Sequence, residues 1–96
     1  MTDSQITRND GAGRYELHVD GELAAFADFL ASDGRIVFTH TETVEAFSGQ
    51  GRGTELVTGA VADSVERGDT IVPRCPFVRR NLERNDIPGA SVEYPN

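Results

Sequence analysis

Three groups of residues in this chain have types and spacings that can do chemistry. The first is a glycine series, Gly49, Gly51 and Gly53, which interrupts a strand-like run and opens onto a helical pattern. Glycines let backbone N–H groups approach an anion, and a helix N-terminus adds unpaired donors and partial positive charge. Gly49-Gln50-Gly51-Arg52-Gly53-Thr54 is therefore a candidate anion-binding turn, although such turns also precede helices for geometric reasons alone. The second is Cys75, the single cysteine, set between Arg74 and Pro76. A guanidinium and the start of a helix both favour the nucleophilic thiolate, whereas a lone cysteine is often just a small buried hydrophobe. The third is His40 with Glu42, two apart on a strand and so on one face. An imidazole there can act as a general base, with Glu42 as a second base or as the group that orients it.

The elements that must position these residues follow from the periodicity. Gln5 to Asn9 reads as a short opening strand, and Arg14 to Val19 alternates apolar with polar residues. Asp20-Gly21 is a two-residue hairpin signal. The segment Leu23 to Leu30 is rich in alanine, yet it lies between Asp20-Gly21 and Ser32-Asp33-Gly34. It is read as the middle strand of a meander that ends in Ile36 to Val44. Past the glycines, Leu56, Val57, Ala60, Val61 and Val65 recur at helical spacing. This predicts a helix from about Gly53 to Arg67, with Asp63, Ser64 and Glu66 off its apolar stripe and Gly68 closing it. Asp69 to Val72 reads as a strand stopped by Pro73, Val78 to Asn85 as a short helix with Pro76 in its first turn, and Val92 to Tyr94 as a last edge strand.

Ninety-six residues make one domain with one core, so residues 1–96 are read as a single unit. The net charge is −7, and all nine basic residues are arginine. That balance argues against nucleic acid as a partner, which needs a basic face to neutralise phosphates. No apolar run reaches the roughly 20 residues of a membrane span, and no secretion signal is visible, so the expected location is cytoplasmic. His18 is expected to face solvent, with no partner at metal-ligand spacing. Nothing in the sequence sets an oligomeric state.

Two runs together carry a family resemblance. His40-Thr41-Glu42, Glu45-Ala46-Phe47 and Gly49-Gln50-Gly51 are followed, some twenty residues on, by Pro73-Arg74-Cys75-Pro76-Phe77-Val78. With the opening strands, this pattern over residues 5 to 85 resembles the small single-domain YjdJ-type members of the GNAT acetyltransferase superfamily. The resemblance implies an α+β fold. Its mixed, mostly antiparallel sheet carries a central helix after the glycine-rich phosphate loop and a short C-terminal helix. It also implies that strands 36–44 and 69–75 splay apart to admit acetyl-CoA.

Carried over by residue, Gly49, Gln50, Gly51, Arg52, Gly53 and Thr54 would wrap the CoA pyrophosphate, and the backbone of Thr43 and Val44 would pair with the pantetheine arm. Cys75 and His40 would face one cleft, and Arg79 and Arg80 would be in reach of the 3′-phosphate. The chain departs from the pattern at Ser48, where the loop usually opens with Arg or Gln. It departs again at Thr43-Val44, usually Val-Pro, and at Asn85-Asp86, near the place of a usual His-Pro pair. The function implied is transfer of acetyl from acetyl-CoA to an unidentified amine. The rival is a non-catalytic CoA-binding or protein-interaction module on a reduced frame, without the two helices that build an acceptor pocket in larger relatives.

Overall fold

The structure is a computed structural model that describes residues 3–85 and 87–95. Residues 1, 2, 86 and 96, which the single-unit reading includes, lie outside the described residues. The chain opens with four strands, β1 (Ser4–Asn9), β2 (Arg14–Val19), β3 (Glu22–Ser32) and β4 (Arg35–Thr43), each antiparallel to the next. Asp20 and Gly21 have φ of 51° and 84°, and Asp33 and Gly34 have 53° and 78°. Positive φ at both positions gives the tight turn whose twist matches its flanking strands. Those turns hold Leu23 to Leu30 extended despite its alanines. Ala24, Ala25 and Ala27 are fully buried, so packing and not helix propensity sets the conformation.

A single 3-10 turn (Glu45–Phe47) leads to α1 (Arg52–Glu66), β5 (Thr70–Pro73), α2 (Pro76–Arg84) and β6 (Ser91–Val92). β5 joins β4 in parallel and β6 joins β5 in parallel, giving one six-stranded sheet in chain order. Parallel strand–helix–strand crossovers are almost always right-handed, and two that step outward in the same direction put both helices on one face. The helices meet there, with Asn81 Nδ2 donating to Thr58 Oγ1 at 3.2 Å. Pro73 ends β5 rather than stopping it early, paired with Phe38. The last strand lies at Ser91–Val92, ahead of the expected Val92 to Tyr94.

The core fills the space between helices and sheet. Tyr15, Leu17, Ile36, Phe38 and Ile71 from the strands meet Leu56, Val57, Val61 and Val78 from the helices, all fully buried. Each such side chain contributes about 1.5–3 kcal/mol of transfer free energy. Gly59 packs closely on β1: a Cβ there would overlap the Cδ1 end of the Ile6 side chain, which would have to turn aside. Ser64, expected off the apolar stripe, is fully buried instead. Its hydroxyl donates to the Ala60 carbonyl at 2.8 Å, which satisfies it within the helix.

A polar seam closes one edge of this core. The Tyr15 hydroxyl donates to Asp63 Oδ2 at 2.6 Å, and Arg67 Nε reaches the same oxygen at 2.7 Å. Burial alone would raise the Asp63 pKa, but these two donors hold it below the ordinary value. Arg8 lies over the Phe29 ring at 4.9 Å and donates to Asp69 at 3.1 Å.

Two bulges decide which way the later side chains point. In β3, Leu17 pairs with Ala25 while His18 pairs with Leu23, leaving Ala24 as the extra residue. In β4, Phe29 pairs with Phe38 while Asp28 pairs with His40, leaving Thr39 extra. Beyond Thr39 the alternation reverses. Thr41 and Thr43 lie opposite the buried Ala27 and Ala25 and face the helices, whereas His40 and Glu42 lie opposite Asp28 and Phe26 on the other face.

Candidate active site

β4 and β5 pair over Arg35–Phe38 and Thr70–Pro73 and then separate. The Arg74 N–H donates back to the Val72 carbonyl at 3.1 Å, turning the chain, and the Cys75 N–H donates to the Phe38 carbonyl at 2.9 Å. β4 continues to Thr43 paired with β3 alone. The Val44 N–H donates to Ala24 O at 2.8 Å. Counting back in the alternating antiparallel pattern, Thr41 and Thr43 turn their backbone groups toward the open side. The open edge thus offers the backbone of Thr43 but not that of Val44, whose carbonyl is also taken by the Phe47 N–H at 2.8 Å. Thr41 stands in its place.

The glycine turn sits at the wide end of this gap. Gly49 and Gly51 have φ of 77° and 75°, in the left-handed region where glycine is favoured. Gly51 is the N-cap of α1 and no side chain caps the helix, so the first-turn N–H groups of Arg52, Gly53 and Thr54 have no side-chain acceptor. A Cβ on Gly53 would lie 3.0 Å from Thr43 Oγ1 and 3.3 Å from the Phe77 ring, so its glycine keeps β4, α1 and α2 close. Thr43, Ser48, Gly49, Gly51 and Gly53 line a groove of about 280 Å³. Gln50 is exposed at the tip of the turn. Arg52 also lines the groove, but its guanidinium is tied to Glu55 at 2.8 Å.

The groove meets a second cavity of about 150 Å³ at Thr54 and Phe77, which line both. Arg80, Asn81, Arg84 and Asn85 complete it. Arg80 thus faces this cavity. Arg79 points elsewhere, 3.7 Å from Glu83 and stacked over Tyr94 at 5.3 Å. Arg84 went unread in the sequence, although its spacing of four from Arg80 puts both on one helix face. Asp86 lies outside the described residues.

Cys75 is buried where β5 ends and α2 begins, with Sγ 3.4 Å from Thr41 Oγ1. The structure therefore brings Cys75 to Thr41 and not to His40. His40 sits on the opposite face of the sheet, more than half exposed, with its ring 6.4 Å from that of Phe26. Glu42 shares that face as expected. Its Oε1 is 3.8 Å from His40 Nε2, near enough for charge attraction but too long for a hydrogen bond. The same face carries Glu16, whose carboxylate the Arg14 guanidinium at 2.7 Å holds below the usual range. His18, half-buried, stands 3.8 Å from Glu16.

Among the described residues no group of three or more His, Cys, Asp or Glu side chains is arranged to hold a metal ion. No helix among them is long and apolar enough to cross a membrane.

A sheet whose parallel strands splay beyond Phe38, with a glycine turn and an uncapped helix at the mouth of the gap, defines an α+β protein of the GNAT class. A family model described as GCN5-related N-acetyl-transferase matches residues 14–88, and the chain belongs to that family. Among solved structures, it is similar to a GCN5-like protein from Staphylococcus aureus named as a candidate N-acetyltransferase. The identity is 20% and the TM-score 0.66, over 96% of this chain and 90% of that one. It is also similar to the ribosomal-protein-S18-alanine N-acetyltransferase of Escherichia coli, at 13% identity and a TM-score of 0.57. That match covers 72% of this chain and 63% of the other. No curated protein matches the sequence.

Proposed function

We propose that the protein is an acetyl-CoA-dependent N-acetyltransferase of the small single-domain type, acting on an amine acceptor. The observation that carries this reading is the continuous groove from the open edge of β4 to the uncapped start of α1. The residues present fit the cofactor. First-turn N–H groups of α1 suit a pyrophosphate, Thr41 and Thr43 offer strand-like backbone pairing to an extended amide arm, and Thr41 meets Cys75 where β4 and β5 part. When bound, acetyl-CoA supplies the acetyl group as an activated thioester. Cys75 and Thr41 then line the inner side of the gap. His40, on the outer face, takes the proton of an acceptor amine, and Glu42 supports the imidazolium that results.

The non-catalytic reading draws on one observation of its own: His40 and Cys75 lie on opposite faces, and among the described residues no helix covers the face that holds His40. Two measurements separate the readings. Mass spectrometry of the native protein should find bound CoA, and a steady-state assay with mixed amines should release free CoA thiol. Retained CoA without turnover would make this a binding module. No affinity for CoA would end the acetyltransferase reading and leave only a protein-interaction module.

A further inference from the structure

The uncovered face of the sheet carries an ordered row of three titratable residues. Arg14 of β2 pairs in register with Asp28 of β3, and Asp28 pairs with His40 of β4. A cation, a carboxylate and an imidazole thus stand on neighbouring strands, about 4.8 Å apart at the backbone. One aromatic ring gathers them. The Arg14 guanidinium lies over Phe26 at 4.8 Å, and the His40 ring stands 6.4 Å from the same ring. Arg14 is held along its own strand, where its Nε donates to Glu16 Oε2 at 2.7 Å. That carboxylate is only 9% exposed on an open face, and Asn9 Nδ2 donates to it at 3.3 Å. Glu16 is therefore a buried tether that sets where Arg14 lies, while 30% of the Arg14 side chain stays open to solvent. Asp28 is half-buried and has no arginine partner among the described residues. Glu42 adds a second carboxylate on the His40 side of Phe26, 3.8 Å from the imidazole.

Positive charge on one side of Phe26 and negative charge on the other are complementary to a small zwitterion. An α-amino acid carries its ammonium and carboxylate on a single carbon, so one molecule bridges the ring from end to end. A guanidinium fork suits the carboxylate, and an unpaired carboxylate suits the ammonium. His40 lies in the stretch of β4 past its last pair with β5, Phe38 with Pro73, so the amine end borders the gap. We propose that the acceptor is a free α-amino acid, whose carboxylate Arg14 holds while Asp28 receives its ammonium beside His40. The inference rests on the acetyltransferase reading for the fate of the amine, and it adds the acceptor class. Plain amines and peptide N-termini lack the α-carboxylate and are poor fits. Arg14 is then a specificity determinant, and Glu16 is a positioning residue that acts through it.

The test titrates L-alanine, L-leucine and L-phenylalanine into the intact protein, each beside the amine that remains when its carboxylate is removed. Binding is read from the NMR signals of the His40 ring and needs no turnover. Each amino acid should bind about tenfold more tightly than its amine, the scale of one hydrogen bond to a charged group. Arg14→Gln combined with Glu16→Gln removes the guanidinium without stranding the buried carboxylate, and it should erase that ratio. Arg14→Lys keeps the charge but not the fork, and should retain part of it. Equal binding of amino acids and amines by the wild-type protein, or no binding of either, would overturn the inference. So would a ratio that survives the double variant. The same six compounds are then offered together with acetyl-CoA. Equal transfer to amines and amino acids would leave the acetyltransferase reading standing and remove this one. A tenfold binding preference without any transfer would keep the amino-acid site and remove the acetyltransferase reading.

Discussion

The Sγ of Cys75 stands 3.4 Å from the Oγ1 of Thr41, and this contact spans the place where β4 and β5 part. Two residues 34 apart in sequence thus form the floor of the gap from opposite strands. The thiol is shielded, with 4% of the residue exposed, so its chemistry depends on access through the gap. Alkylation of the native protein by a neutral thiol reagent should be slower than that of a free thiol and slower still with CoA bound. A rate that CoA leaves unchanged would place the sulfur in the core, outside the cofactor path.

His40→Ala should slow acetyl transfer by roughly 10²-fold, the usual scale for loss of a general base. CoA affinity should stay the same, because His40 lies on the face away from the groove. Glu42→Gln should have a smaller effect, since the 3.8 Å separation gives orientation and charge but no hydrogen bond. A wild-type rate in His40→Ala between pH 6 and 9 would assign proton removal to another group.

Gly51→Asp should abolish CoA binding while the protein stays folded. A Cβ at Gly51 meets nothing within 4 Å, so the glycine is required by its φ of 75° and not by space. The left-handed conformation costs about 1–2 kcal/mol, least for Asp or Asn, while the new carboxylate repels phosphate. Calorimetry that found equal CoA affinity in the two proteins would refute the loop assignment.

Gly53→Val should act by volume. Its side chain would push against Thr43 Oγ1 and the Phe77 ring, closing the groove where β4, α1 and α2 meet. The expected loss of stability is about 1–3 kcal/mol, and CoA binding should fall with it. Thermal denaturation and calorimetry on one preparation check both parts; unchanged melting would show that the neighbours give way freely.

Acid should destabilise the protein through Glu16 and Asp63. Both carboxyls are held below their ordinary values in the folded state, Glu16 first by Arg14, and Asp63 by Tyr15 and Arg67 against the effect of burial. A lowered folded-state pKa contributes stability above the unfolded value, near 4, and that contribution is lost as pH falls through the folded value. Tyr15→Phe should cost about 1–2 kcal/mol at neutral pH, since it removes a hydroxyl bonded to a carboxylate. It should also shift the acid unfolding midpoint upward. Equal midpoints in denaturant titrations of wild type and Tyr15→Phe at pH 4 would rule out this account.

Much of the architecture was legible in the residues. Asp20-Gly21 and Asp33-Gly34 can hardly be anything but tight turns, and they force the alanine-rich stretch between them into a strand. The spacing of Leu56, Val57, Ala60 and Val61 marks a helix by its buried stripe, and the glycines before it mark where that helix begins. The interior position of Ser64 was not legible, because a hydroxyl satisfied by its own helix looks in sequence like a surface residue.

The faces of β4 needed the tertiary structure. By simple alternation, His40 shares a side with Phe38, and the sequence therefore pointed it at Cys75. One unpaired residue, Thr39, reverses that order. A bulge arises from how β4 registers against β3, with Asp28 opposite His40 and Phe29 opposite Phe38, and no property of Thr39 by itself announces it. The chain thus specified on its own a strand, a glycine turn and a helix in that order. Which strand residues would face the gap was decided only when β3 and β4 paired, because a single extra residue moves every later side chain to the other face.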